Sequence, residues 1–254
     1  MLFYKTGPFN NMPETPRQLP FRVLALSKTA GYRHECIPAS IAALRALGDR
    51  TGLFTLDTTE DAEIFTPDTL AGYATVIFLH TTGPFLNDAQ LTALQSYIRS
   101  GGGFVGVHAA ASGNKHSEWY GRLVGAHFDY HPAPEEGTLV IEDAEHEIMS
   151  GNLDKERRWM DEWYNFKTHP RENTNLRVLI RGDTSSFQGG NMGHDHPLVW
   201  CQEFEGGRSF YTALGHFDEA YEDEWFMSQL EHAIVWTSRI GSEGGQGKAA
   251  LNIS

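Results

Sequence analysis

The sequence predicts an α/β domain built on a parallel sheet, and three observations carry that prediction. Short apolar runs closed by polar residues alternate with stretches of helical periodicity through the first half of the chain, the pattern of strand–helix–strand units. The length, 254 residues, suits one large α/β domain or two small ones and is ample for a buried core. Polar residues, several of them histidines, collect at or just past the ends of the apolar runs, where open parallel sheets gather their ligands.

The elements follow in order. FRVLALS (21–27) is a compact apolar run ended by polar residues, as a buried parallel strand is. IPASIAALRALG (37–48) has helical spacing at Ile37, Ile41, Leu44 and Leu47, with Gly48 placed to end the helix. LFTLDTT (53–59) alternates as a second strand, and TPDTLAGY (66–73) reads as a short capped helix. ATVIFLHTT (74–82) is a third strand, rich in β-branched residues. In LNDAQLTALQSYIRSGGG, Asn87 or Asp88 caps a helix whose apolar face holds Leu91, Leu94 and Ile98, and glycines close it. GFVGVH (103–108) is the fourth strand. The second half is less regular: 138–143, 177–182, 196–204 and 208–216 read as strands, followed by a long helix over 224–239. Residues 1–20 read as an irregular arm, 21–240 as the domain and 241–254 as a flexible tail.

Composition narrows the function classes. A net charge of −13 opposes binding to nucleic acid or an anionic membrane, since phosphate is repelled. No apolar stretch reaches the roughly 20 residues of a membrane span, and the N-terminus has no apolar core of a signal peptide, so a soluble, cytoplasmic chain is expected. Two cysteines, Cys36 and Cys201, imply no disulfide framework.

Chemistry is sought first at GGGFVGVHAAAS (101–112). A strand-to-helix turn flanked by small residues usually carries a reactive Ser or Cys in α/β hydrolases and amidotransferases; here it carries His108. Gly106 and Ala109 are expected to leave room for a ligand beside it. KTAGYRHE (28–35) sets Arg33 and His34 at the threshold of a helix, a place that favours anions and negative ligand dipoles. MDEWYNF (160–166) sets Asp161 and Glu162 among aromatics; in an extended segment they point to opposite faces, so at most one faces a site. GGNMGHDHPLVW (189–200) delivers His194, Asp195 and His196, whose alternation presents both rings on one face of an extended segment, a pattern suited to metal ligation or a relay. RSFYTALGHFDEAY (208–221) ends a strand at Gly215 and His216.

Taken with HTTGPFLNDAQLTALQSYIRSGGGFVGVHAAA, WYGRLVGAHFDYHP, DEWYNF and GHDHPLVWCQEFEGGRSFYTALGH, these segments resemble the ThuA-like (trehalose utilisation) family from about Phe21 to Arg239. The resemblance implies a flavodoxin-like sheet flanked by helices, of the class I glutamine amidotransferase-like kind, with His108 standing where amidotransferases hold their cysteine. It also implies a link to sugar utilisation and to 3-keto-sugars. His34, His108, Glu162, His196 and His216 carry over as matched family positions with inferred catalytic roles. Arg33, Asp161, Tyr164 and His194 are taken as substrate-binding.

Two classes of function then stand side by side. An enzyme acting on a keto-sugar or glycoside would isomerise, eliminate, hydrate or hydrolyse it: a histidine or Glu162 serves as base, and a second histidine, Arg33 or a bound divalent metal holds the enolate oxygen. A non-catalytic carbohydrate-binding or regulatory module would keep the pocket without turnover. Convergence of titratable groups within hydrogen-bond reach favours the enzyme; groups spread along a groove favour the binder. A classical amidotransferase is a distant third, because neither cysteine sits at the elbow. The metal's identity and a homo-oligomeric state are left open.

Overall fold

A computed structural model describes residues 19–151 and 154–240. The expected tail, and all but the last two residues of the expected arm, lie outside the described residues.

The first half folds as its periodicity predicts. Strands β1 (Phe21–Leu26), β2 (Phe54–Thr59), β3 (Thr75–Leu79) and β4 (Gly103–Val107) alternate with helices α1 (Ile37–Thr51), α2 (Pro67–Leu70) and α3 (Asp88–Arg99). Helix α3 is opened by a capping box in which Asn87 and Gln90 satisfy each other's backbone donors. The second half comprises α4 (Glu118–Val124), β5 (Phe128–Tyr130), β6 (Glu135–Ile141), β7 (Glu156–Asp161), β8 (Asn165–Phe166), β9 (Arg177–Gly182), β10 (His196–Phe204), β11 (Gly207–Thr212) and α5 (Glu224–Ser238).

Nine of these strands form one sheet in the order β2-β1-β3-β4-β11-β10-β9-β6-β7, and β5 pairs with β8 apart from it. The first five are parallel. Their order is the flavodoxin-like 2-1-3-4-5 with β11 in the fifth place, and it reverses direction between β1 and β3, the switch point where such sheets bind ligands. The remaining strands run alternately antiparallel, so β9 and β7 point the same way as β11.

Both faces of the sheet are covered. On β4, a side chain at Gly103 would meet the Thr237 carbonyl of α5 at 2.5 Å, whereas the next residue, Phe104, stacks edge-on against Tyr120 of α4. Successive strand residues point to opposite faces, so α5 and α4 lie on opposite sides. The core between them is rich in fully buried aromatics, among them Phe78, Phe104, Tyr120, Trp200 and Tyr211.

Register sets the site's position. Leu79 of β3 and Thr212 of β11 both pair with Val107 of β4, so the three strands end in one row. The residues that follow, His80, His108 and the turn from Ala213 to His216, therefore emerge at a single level beside the switch point. His80 and His108 take left-handed backbone conformations, φ 55° and 51°, a strained choice for a residue other than glycine and one that concentrates at functional sites.

Candidate functional site

Four side chains converge at this edge. One ligating atom each from His34, His108, Glu162 and His216 lies within 4.8 Å of the others. His34 comes from the loop after β1, His108 from the turn after β4, Glu162 from the end of β7 and His216 from the turn after β11. Three of them form a tight triangle. Oε2 of Glu162 is 3.3 Å from His108 Nε2 and 3.2 Å from His216 Nδ1, and those two nitrogens are 3.3 Å apart.

Each member is held from behind. The Nδ1–H of His108 donates to the Ala213 carbonyl at 2.6 Å, since a carbonyl can only accept. The neutral ring therefore presents a bare Nε2 to the site, and the Tyr164 hydroxyl donates to it at 2.9 Å. The other oxygen of Glu162 is engaged by His131 Nε2 at 3.3 Å. Beneath the triangle, the buried carboxylate of Asp161 accepts from the backbone N–H groups of Glu162, Gly215 and His216 and from the Trp159 indole. It fixes the backbone on which Glu162 and His216 stand. On the far side, His80 Nε2–H donates to the Tyr221 hydroxyl at 2.6 Å, and Tyr221 donates in turn to the Gly215 carbonyl.

Charge follows from these contacts. Burial alone would raise the Glu162 carboxyl, but the imidazoles of His108 and His216 against its Oε2 outweigh it and hold the group below the usual carboxylate range. Burial likewise opposes charge on His216, and Glu162 reverses the sign, so His216 is raised. Burial, then the neighbouring His108 and His216 rings, push His34 down to about 3. Burial, then the neighbouring imidazoles, also hold His80 well below the ordinary imidazole range, and burial keeps Tyr164 a phenol.

Of the residues expected from sequence, His34, His108, Glu162, His216 and Tyr164 come together here. Others do not. His196 is the first residue of β10 and stands behind Tyr164, donating through Nε2 to that residue's carbonyl at 2.9 Å and packing on Phe187, outside the triangle. His194 lies exposed in the preceding turn, so the alternation His194–His196 does not present two rings on one face. Arg33 points outward into a bidentate pair with Glu60. Asp161 is only 1% exposed and supports backbone, whereas Glu162 alone of the pair faces the cluster. Gly106 leaves no ligand space: a Cβ there would lie 3.1 Å from both Phe104 and Tyr211. Its smallness serves core packing. His131 and Tyr221 were not among the expected site residues, and His80, expected at a strand's carboxyl end, was given no role there. His80 follows β3 as His108 follows β4, a parallel readable from the two strand ends; His131 follows the three-residue strand β5, too short for any periodic signal.

Comparisons with known proteins fit this picture. The family model described as ThuA, trehalose utilisation, matches residues 22–237. A ThuA-like protein from Bacteroides uniformis ATCC 8492 superposes with a TM-score of 0.72 at 25% identity, covering 89% of this chain and 95% of its own. Another, from Parabacteroides merdae ATCC 43184, gives 0.70 at 20% identity over 86% and 90%. A cytoplasmic protein from Salmonella typhimurium LT2 shares the fold, with a TM-score of 0.59 at 14% identity over 87% and 98%. No curated protein matches the chain.

Proposed function

The chain belongs to the ThuA, trehalose utilisation, family, and from that premise we propose that it is a carbohydrate-active enzyme working by proton transfer on a keto-sugar or related glycoside. One observation carries the reading: His34, His108, Glu162 and His216, supplied by four separate chain segments, meet within 4.8 Å of one another at the sheet's carboxyl edge, the last three within 3.3 Å. A module that only holds a sugar has no need to concentrate lone pairs and a carboxylate at one point.

The geometry suits chemistry beside a carbonyl. A ketone acidifies its neighbouring C–H, and the reaction then needs an acceptor for that proton and a donor for the developing oxyanion. Glu162, with its outer oxygen on His131, is the acceptor. The Tyr164 hydroxyl, kept protonated by burial, is a donor at the same place. Isomerisation, β-elimination, hydration and hydrolysis all draw on this set. Tyr32, 66% exposed and set edge-on to His34 at 4.9 Å, offers an aromatic face at the rim on which a sugar ring stacks.

The test is turnover on a panel of 3-keto-disaccharides and the parent glycosides, followed by product analysis. Glu162→Gln should lower kcat about 10²–10⁴-fold with little change in KM, the usual share of a general base. Saturable sugar binding with no turnover of any panel member would make the protein a binding module instead.

A further inference from the structure

We propose that His34, His108, His216 and Glu162 are the ligands of a divalent transition-metal ion of the zinc type. The inference deepens the reading above and rests on it for the ion's role, though its binding is tested separately.

Distance is the first support. An ion bonded at about 2.0–2.1 Å holds tetrahedral donors roughly 3.3 Å apart. The triangle of His108 Nε2, His216 Nδ1 and Glu162 Oε2 has edges of 3.3, 3.2 and 3.3 Å, and a ligating nitrogen of His34 lies within 4.8 Å of all three. Orientation is the second. A metal-binding histidine typically gives its remote N–H to a carbonyl or carboxylate, which fixes the tautomer and aims the lone pair. His108 does this through Ala213, and His131 plays the matching part for the remote oxygen of Glu162.

His34 supplies the third and independent support. It is 5% exposed, and its Nδ1 is fully buried with no hydrogen-bond partner among the described residues. A buried polar group without a partner is costly, and native structures rarely keep one without a reason. An ion at the centre of the cluster gives His34 its partner.

Donor chemistry selects the ion. Three imidazoles and one carboxylate suit zinc, iron, cobalt or nickel, whereas magnesium and calcium want mostly oxygen. The buried thiol of Cys36, pushed up to about 12 by burial, belongs to the His80 side and is not in the set. Held by four protein ligands, the ion would act on a sugar only by taking a carbonyl or hydroxyl oxygen as a fifth ligand, and would then supply the electrophilic role that the proton-transfer reading requires. Proton carriage then falls to Tyr164, His131 and the outer oxygen of Glu162.

The experiment strips the full-length protein with a chelator, dialyses it, and titrates Zn2+, Co2+ and Mg2+ by calorimetry, with the Co2+ absorption spectrum as a second readout. One equivalent of Zn2+ and of Co2+ should bind, Co2+ should develop visible bands of nitrogen and oxygen coordination, and Mg2+ should not saturate. His34→Ala and Glu162→Gln should each weaken Zn2+ by more than about 100-fold, and His131→Gln, a positioning change, by about 10–100-fold. Circular dichroism and melting confirm that each variant is folded; His34→Ala removes no hydrogen bond and is the safest of them. No stoichiometric uptake by folded wild-type protein, or uptake unchanged in both ligand variants, overturns the metal site. Sugar turnover by fully stripped protein that takes up no metal does the same while sparing the enzyme reading. Stoichiometric binding without turnover upholds the metal site and removes the enzyme.

Discussion

His108 is 0% exposed, its Nδ1–H is bonded to the Ala213 carbonyl, and its backbone is left-handed. These facts decide what its removal does. His108→Ala strands the Ala213 carbonyl and the Tyr164 hydroxyl, so it should destabilise the fold by roughly 1–3 kcal/mol as well as silence the site. His108→Asn should behave differently: asparagine tolerates the left-handed region, and its short amide reaches the same carbonyl while Nε2 is lost. Near-native melting with no activity in the Asn variant, beside early melting in the Ala variant, separates the two roles of this ring. Equal melting of both variants would show that the Ala213 bond contributes nothing. His196 yields a pH prediction. Its Nε2–H is spent on the Tyr164 carbonyl and its Nδ1 is buried without a partner among the described residues, so burial holds the imidazole down at about 4. The unfolded chain, near 6.5, therefore takes up a proton that the folded chain refuses. Stability is complete above about pH 6.5 and is lost as pH falls toward 4, by roughly 3 kcal/mol from this residue, at about 1.36 kcal/mol per pH unit. His196→Gln keeps a donor for Tyr164 and should flatten the acid limb of urea-unfolding stability against pH; an unchanged slope would refute the assignment. At this scale the sequence was legible where a residue ended a strand, as His108 and His216 do. It was illegible where a side chain's direction depended on a turn, as with His194, or on an outer ion pair, as with Arg33.

Asp161 joins two elements that are remote in sequence. Its carboxylate closes β7 and captures the backbone of Gly215 and His216 after β11, while also accepting from Trp159 and Glu162. Asp161→Asn replaces one acceptor oxygen by an N–H donor, which must face either the Trp159 and Gly215 donors or those of Glu162 and His216. The expected cost is roughly 3 kcal/mol, since bonds to a buried charge are worth more than neutral ones. His216 should lose its fixed place along with it, so metal affinity or turnover should fall even under conditions where the variant is fully folded. A variant as active and as stable as wild type would mean that the turn holds itself. The same element explains what the sequence hid. Strand β7 reads ERRWMD: it lies at the sheet's edge, exposes Glu156, Arg158 and Met160, and so lacks the apolar run that marked β1, β3 and β4. Helix α4, seven residues long, and the two-residue strand β8 are too short for periodicity to register. The parallel strands were readable to within a residue of their starts, β1, β3 and β4 because they are mostly buried on both faces and β2, at the edge, by its alternation.

Across the whole molecule, the site sits where two halves of one sheet meet in function. His34, His108 and His216 follow parallel strands, whereas Glu162 follows β7 at the antiparallel end. An occupant bound to all four must therefore tie the halves together, and its binding energy adds to the stability of the entire domain. By mass action, an ion at 100 times its dissociation constant adds about 2.7 kcal/mol. For a domain of this size, each kcal/mol moves the melting temperature by about 2–4 °C, so saturating Zn2+ should raise it by roughly 5–10 °C. The net charge of −13 draws any cation weakly to the surface, so Mg2+ at equal concentration is the control for that general attraction. The form of the transition carries further information. If the ion bridges the halves, calorimetry should show one endotherm that shifts as a unit, and Glu162→Gln, which cuts the only antiparallel ligand, should abolish the shift. If instead the endotherm splits, with one part moving and one staying, the ion sits on the parallel half alone and Glu162 is not its ligand.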